Sequence, residues 1–167
     1  MDRTVPESKW IKQEDAFRRM LRLARVHQPL ILHLRGPPED VYGSDVNALC
    51  MMLMEEICKR DQKIHLHCFK GREIIVKAWL RKFPNAYFGV TAAVRSFNEE
   101  QLAGLRAIPR DKLLLDSDAP YFPYGNAQVS TPAYLGELAA FVAIHLDMRA
   151  LEVMKLTVRN ARALYGV

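Results

Sequence analysis

The sequence has no run of about 18 apolar residues, so no transmembrane helix is predicted and no membrane partner is expected. No apolar stretch follows the first Met in the N-terminal sequence MDRTVPESKW, so no secretory signal peptide is predicted either. We therefore expect a cytoplasmic or nuclear protein and not a secreted one.

Cysteines are few. The 167-residue chain contains three, Cys50, Cys58 and Cys68, and none has the CxxC spacing of a zinc site. Because their number is also odd, buried thiols in a reducing compartment explain them best. A Pro/Ser-rich linker, a low-complexity tract and a short-period repeat are absent as well. We predict an N-terminal lead-in at residues 1–12, followed by one domain at residues 13–167.

Positive charge is in modest excess, with a formal net charge of +5. Such a charge can raise the encounter rate with phosphate polyanions. Here, however, Lys and Arg are scattered along predicted helix faces, as at residues 17–22 (FRRMLR), where they keep the surface hydrated. Charge alone therefore does not indicate nucleic acid binding.

Hydrophobic periodicity predicts alternating helices and strands. Apolar residues at helical spacing indicate helices, and short apolar runs indicate strands. Ser44 or Asp45 is expected to cap the second helix and Asn98 the fourth. The predicted helices cover residues 13–27, 44–60, 72–83, 98–107, 132–145 and 148–165, and the predicted strands cover residues 30–34, 63–68, 86–90 and 112–116.

Near-continuous apolar strands separated by helices indicate an α/β fold with a parallel sheet covered by helices. A complete (β/α)₈ barrel needs eight strand–helix rounds and about 250 residues, whereas this chain has only four rounds. The pattern alone therefore allows part of a barrel or an open four-stranded α/β sheet.

Three of the predicted strands end in polar residues that packing does not require: HLR at residues 33–35, HLH at residues 65–67 and DSD at residues 116–118. Working residues of parallel α/β proteins lie at such carboxyl ends. Imidazole and carboxylate groups that converge there can bind a divalent metal, which acidifies water for hydrolysis. A neighbouring Arg offers a planar fork for phosphate. Each His could instead be a hydrogen-bonded core or rim residue, and His65, one pleat deeper than His67, could simply fill the interior.

These segments also carry a family resemblance. Residues 33–35 (HLR), 67–71 (HCFKG) and 113–121 (LLLDSDAPY) resemble, in order and spacing, three successive signatures of the TatD deoxyribonucleases. The likeness extends from about Gln13 to Gly166, including NARALYG at residues 160–166.

The resemblance implies a TIM barrel of the amidohydrolase group that cleaves DNA, or RNA, with divalent Mg, Mn or Zn ions. By likeness, His33, His67 and Asp118 would be metal ligands. Asp118 and Asp116 would be the catalytic carboxylates, with Asp118 orienting or deprotonating the attacking water and Asp116 in a supporting role. On the substrate side, Arg35 would contact phosphate, Phe69 would shape the loop, and Tyr121 would border the cleft.

The chain departs from the family pattern in two ways. The family usually has Glu where Asp116 stands, and it begins with a His-x-His pair and a further Glu that no segment before residue 13 supplies. We therefore expect the C-terminal strand–helix units of an incomplete hydrolase barrel, with three ligands retained, weak metal binding, and open sheet edges that favour self-association. Two alternatives are a non-catalytic binding or assembly module and a hydrolase of a small ester or amide.

Overall fold

A computed structural model of the protein describes residues 1–167 and contains one parallel sheet of four strands flanked by six helices. The strands lie in the order β1-β2-β3-β4, so each is hydrogen-bonded to its neighbour in the chain. This confirms the predicted parallel sheet covered by helices. No helix is long and apolar enough to cross a bilayer. The elements are α1 (Trp10–Leu23), β1 (Leu30–His33), α2 (Ser44–Ile57), β2 (Ile64–His67), α3 (Glu73–Lys82), β3 (Ala86–Val90), α4 (Glu99–Ala107), β4 (Leu113–Leu115), α5 (Leu135–Leu146) and α6 (Ala150–Tyr165).

A side-chain cap explains where α4 begins, whereas α2 begins without one. Asn98 caps α4 as predicted, because its side chain accepts a hydrogen bond from the Gln101 N–H at 3.0 Å and its own N–H donates to the Gln101 side chain at 3.1 Å. The predicted Ser44 or Asp45 cap of α2 is wrong. Gly43 precedes that helix in a left-handed conformation (φ 64°) and makes no side-chain cap, and Ser44 is already helical.

The main core lies between the sheet and its covering helices. Alternate residues of the four strands face this layer, and Leu32, Leu66, Phe88 and Leu113 are all buried in it. Burying each such side chain contributes roughly 1.5–3 kcal/mol relative to leaving it in water. This layer holds the carboxyl ends of the four strands at one edge of the sheet.

The opposite face of the sheet is covered only in part. The end of α6 packs against it, where Leu164 contacts Tyr87 and Leu114. At the β1 edge this face is open, since Ile31 is 60% exposed whereas its neighbour Leu32 is 5% exposed. A closed barrel would bury both faces of every strand. The open face at β1 therefore agrees with a partial barrel.

The first residues of the chain lie beside β1, on its side away from β2. Asp2 forms an isolated parallel bridge with Arg35. The Arg35 N–H donates to the Met1 carbonyl oxygen at 3.0 Å, and the Arg3 N–H donates to the Arg35 carbonyl oxygen at 2.8 Å. The predicted lead-in thus includes residues that extend the sheet at the carboxyl end of β1, and α1 begins at Trp10 instead of residue 13.

Candidate metal centre

The carboxyl ends of β1, β2 and β4 bring the predicted site residues to one edge of the sheet. His33 and His67 are register partners across β1 and β2, and their ring centroids lie 5.6 Å apart. Asp116 and Asp118 directly follow β4. Because β3 lies between β2 and β4, the two aspartates must reach across that strand to meet the histidines.

Gly89 in β3 makes this reach possible. A Cβ atom at this position would lie 1.9 Å from Asp116 Oδ2 and 2.4 Å from His65 Nε2, which are distances that no side chain tolerates. Gly89 was not among the residues predicted for the site. Its signal is an isolated Gly inside an apolar strand, which often marks a close approach by another group.

His67 is held between the two carboxylates. Its Nδ1 lies 3.0 Å from Asp116 Oδ2, and its Nε2 lies 2.9 Å from Asp118 Oδ1. The hydrogen bond to Asp116 is the main cause that raises the pKa of His67 above its usual value, and Asp118 adds to it. The 2.9 Å spacing of His67 Nε2 and Asp118 Oδ1 is that of a hydrogen bond, whereas two ligand atoms of a tetrahedral zinc site lie about 3.4 Å apart. A small separation of the two side chains would therefore open this pair to a divalent cation.

Asp116 is an ionised acceptor that holds imidazole rings. Burial alone would raise the pKa of its carboxyl group, but hydrogen bonds with His65 and His67 outweigh burial and lower that pKa to about 2. Both of those histidines and, at 3.4 Å, the Cys68 N–H meet the same oxygen, Oδ2. Asp116 thus fixes the ring orientation of His67, and its supporting role in catalysis stays a prediction.

His33 is less constrained, because its side chain is exposed at the open edge of the sheet. Partial burial of the ring lowers the pKa of His33, and the positive charges of His67 and Arg35 lower it further. Neutral imidazole is the form that binds a metal. His33 thus lies near the His67–Asp118 pair in a suitable protonation state, as the third predicted ligand.

His65 has more partners than an interior filler needs. It is buried, with its Nε2 3.1 Å from Asp116 Oδ2 and its Nδ1 2.6 Å from the hydroxyl of Tyr165. Ligand atoms of His65, His67 and Asp116 lie within 4.8 Å of one another, close enough to hold a metal, whereas His33, His67 and Asp118 do not form such a group. Hydrogen bonds already account for these contacts. His67 Nε2 differs from these nitrogens, because it faces Asp118, a carboxylate that has no second imidazole partner.

An open cleft of about 520 Å³ runs beside the site. Arg35 lies in it with an exposed guanidinium, and the nearest carboxylate, on Asp2, is 4.0 Å away. Positive, aromatic and imidazole groups meet in this cleft, a combination that suits a phosphate ester. Its lining includes His33, Arg35, His67, Lys70, Phe97 and Phe122.

The other two residues expected at the substrate lie outside this cleft. Phe69 is 7% exposed and packs edge to face on Phe88 with ring centroids 4.9 Å apart, so it shapes the loop from the core and does not face the cleft. Tyr121 is 67% exposed on the segment after β4, and its neighbour Phe122 lines the cleft instead. Lys70 belongs to the HCFKG motif, but no substrate role was predicted for it, and none was predicted for Phe97 or Phe122.

Comparison with known proteins gives a consistent picture. The sequence model of the family described as TatD related DNase matches residues 1–166. The human protein named 3'-5' RNA nuclease TATDN2 is 35% identical over 120 residues, which is 71% of this chain and 14% of that protein. The Escherichia fergusonii protein named 3'-5' ssDNA/RNA exonuclease TatD is 28% identical over 167 residues, which is 93% of this chain and 59% of that protein.

Solved structures agree on the fold. The Escherichia coli TatD homologue YjjV superposes with a TM-score of 0.80 at 19% identity, covering 100% of this chain and 61% of that one. An amidohydrolase from Saccharomyces cerevisiae gives a TM-score of 0.73, covering 93% of this chain and 60% of that one. The chain thus spans about three fifths of the bacterial relative and of these structures, and a smaller part of the human protein.

Proposed function

This chain belongs to the TatD related DNase family, and from that premise we propose that it carries part of a metal-dependent active site that hydrolyses phosphodiester bonds in single-stranded DNA or RNA. The proposed ligands are His33, His67 and Asp118. Relatives named as exonucleases of single-stranded DNA and RNA support the substrate class.

The placement of His67 between Asp116 and Asp118 carries this proposal. Asp116 holds Nδ1, so Nε2 is turned toward Asp118, and the two side chains together would offer a cation one nitrogen and one oxygen ligand. Three protein ligands are the number found in catalytic zinc sites, which leave a further position open. With two imidazoles and one carboxylate, the donor set favours Zn²⁺ or Mn²⁺ over Mg²⁺, which prefers oxygen ligands.

A divalent cation held there would polarise the phosphate and lower the pKa of water in the site. Asp118 would orient the attacking water and accept its proton. Arg35 would pair with a phosphate oxygen through its planar guanidinium. Lys70 in the same cleft adds a second positive charge along the path of the polynucleotide.

The test is cleavage of end-labelled single-stranded DNA and RNA by the purified chain with Mn²⁺, Zn²⁺ or Mg²⁺. We expect cleavage that disappears with EDTA and in His67→Ala, and that persists in a matched control, His27→Ala, whose ring is exposed away from the site. A folded chain that binds metal but cleaves neither polymer would contradict the proposed substrate. Turnover of small esters under those conditions would instead support the small-molecule hydrolase alternative.

A further inference from the structure

We propose that Tyr165 and His65 are positioning residues, forming a hydrogen-bond chain behind Asp116 that fixes the orientation of His67 for metal binding. This series of hydrogen bonds runs from the last turn of α6, across the inner face of the sheet, to the candidate metal centre. This inference rests on the proposed function, because it concerns how the same centre is held in shape.

The four groups follow one another at hydrogen-bond distance. The Tyr165 hydroxyl lies 2.6 Å from His65 Nδ1, and His65 Nε2 lies 3.1 Å from Asp116 Oδ2. That oxygen lies 3.0 Å from His67 Nδ1, whose opposite nitrogen faces Asp118. Each ring nitrogen in this series therefore has one oxygen partner.

Protonation is consistent along the whole series. Ionised Asp116 can only accept hydrogen bonds, so both His65 Nε2 and His67 Nδ1 must donate to it. In neutral His65 the other nitrogen, Nδ1, is then an acceptor, and the Tyr165 hydroxyl supplies the proton for that bond. The same rule leaves Nε2 of neutral His67 with its lone pair toward Asp118 Oδ1, which is the form that could coordinate a cation beside that carboxylate.

Two features of the surrounding structure keep these hydrogen-bonded side chains in place. Gly89 leaves the space in which Asp116 and His65 meet, since a Cβ atom there would overlap both of them. The end of α6 is attached to the sheet by Lys63, whose ammonium group donates to the carbonyl oxygens of Ala163 and Leu164 at 3.2 and 3.0 Å. The attached end of α6 therefore holds Tyr165 beside His65.

If His65 merely fills the interior, an apolar residue of similar size would serve as well. A buried imidazole without hydrogen-bond partners costs free energy, and its replacement by Leu would then be neutral or stabilising. If His65 positions Asp116, Leu removes the donor, whereas Gln keeps an N–H close to the place of His65 Nε2. The two substitutions therefore separate a positioning role from a packing role.

The experiment measures Mn²⁺ and Zn²⁺ affinity of the full chain by calorimetry for His65→Leu, His65→Gln and Tyr165→Phe. Loss of partners that orient a ligand His typically weakens metal binding about 10- to 100-fold, so we expect roughly tenfold weaker binding for His65→Leu. We expect His65→Gln to recover to within about threefold of the parent chain and Tyr165→Phe to weaken binding about threefold, a smaller effect because Tyr165 is one step further from the metal. Tyr134→Phe, which removes a hydroxyl without a hydrogen-bond partner in the chain, is the matched control.

A metal-free readout separates this inference from the proposed function. Nitrogen-15 NMR at a pH where both imidazoles are neutral should show His65 with its proton on Nε2 and His67 with its proton on Nδ1. Tyr165→Phe should mix the His65 tautomers, and His65→Leu should mix those of His67. Unchanged His67 tautomer in folded His65→Leu, or unchanged metal affinity in that variant, would overturn the inference. Absence of metal binding by the parent chain would overturn the proposed function, while the tautomers would still decide the inference.

Discussion

The substitution Gly89→Ala tests the geometry of the site most directly. The added methyl carbon would lie 1.9 Å from Asp116 Oδ2 and 2.4 Å from His65 Nε2, so the carboxylate must leave its place. Replacing Gly by Ala in a strand would otherwise stabilise the chain by roughly 0.5–1 kcal/mol. Against this, overpacking costs about 1–3 kcal/mol and each lost hydrogen bond to a charged group costs about 1.5–3 kcal/mol. We expect a net destabilisation of about 2–4 kcal/mol.

The measurement is urea and thermal unfolding of the parent chain and the variant, together with metal titration. A loss of this size would lower the melting temperature by roughly 5–15 °C in a chain of this length. Gly136→Ala is the matched control, because a Cβ atom there meets nothing within 4 Å and the residue lies in α5, so that variant should be as stable as the parent or slightly more so. A Gly89→Ala chain with parent-like stability and metal affinity would refute the placement of Asp116 across β3.

Three further predictions concern the carboxylates and the cation. Asp118→Asn should abolish cleavage while leaving the melting temperature within a few degrees, and retained activity would remove Asp118 from the chemistry. Since the carboxyl pKa of Asp116 is about 2, below its ordinary 3.8, its contribution to stability is complete above pH 3.8 and is lost as the pH falls toward 2. The difference in unfolding free energy between the parent chain and Asp116→Asn should therefore shrink by about 2 kcal/mol between pH 5 and pH 2. Finally, the chain should bind metal weakly, and calorimetry that finds two sub-micromolar sites per chain would contradict the three-ligand count.

The strands could be predicted because each is a short apolar run bounded by polar or turn residues, and the β3 prediction matches the observed Ala86–Val90. Helix ends were less predictable. The amphipathic pattern continues to His27, but α1 ends at Leu23 because Ala24 takes an extended conformation (ψ 139°) on the way to β1. That choice depends on where β1 lies in the sheet, which local propensity does not encode.

The candidate site was likewise predictable only in part. The convergence of strand ends in a parallel sheet predicted that His33, His67 and Asp118 would lie near one another. Their selection as metal ligands came from the resemblance to the TatD deoxyribonucleases. The hydrogen bond between His65 and Tyr165 joins residues 100 positions apart in the sequence. It could not be predicted, because neither residue type requires such a partner. The role of Gly89 was equally hidden, because a glycine in a strand does not specify which side chain will occupy the space above it.

The geometry also separates two properties of the centre. His67 is oriented by Asp116, which reaches it through the space at Gly89, and all three belong to the interior strands β2 and β3 or to the end of β4. His33 lies instead on the edge strand β1, whose outer neighbour is the short segment around Asp2. Substitutions within the interior group should therefore change how well His67 is oriented, while any group placed beyond β1 would act on the number of ligands. Orientation of the proposed ligand His67 thus depends on contacts within this chain, whereas the number of ligands at the proposed centre would also depend on any group placed beyond the β1 edge.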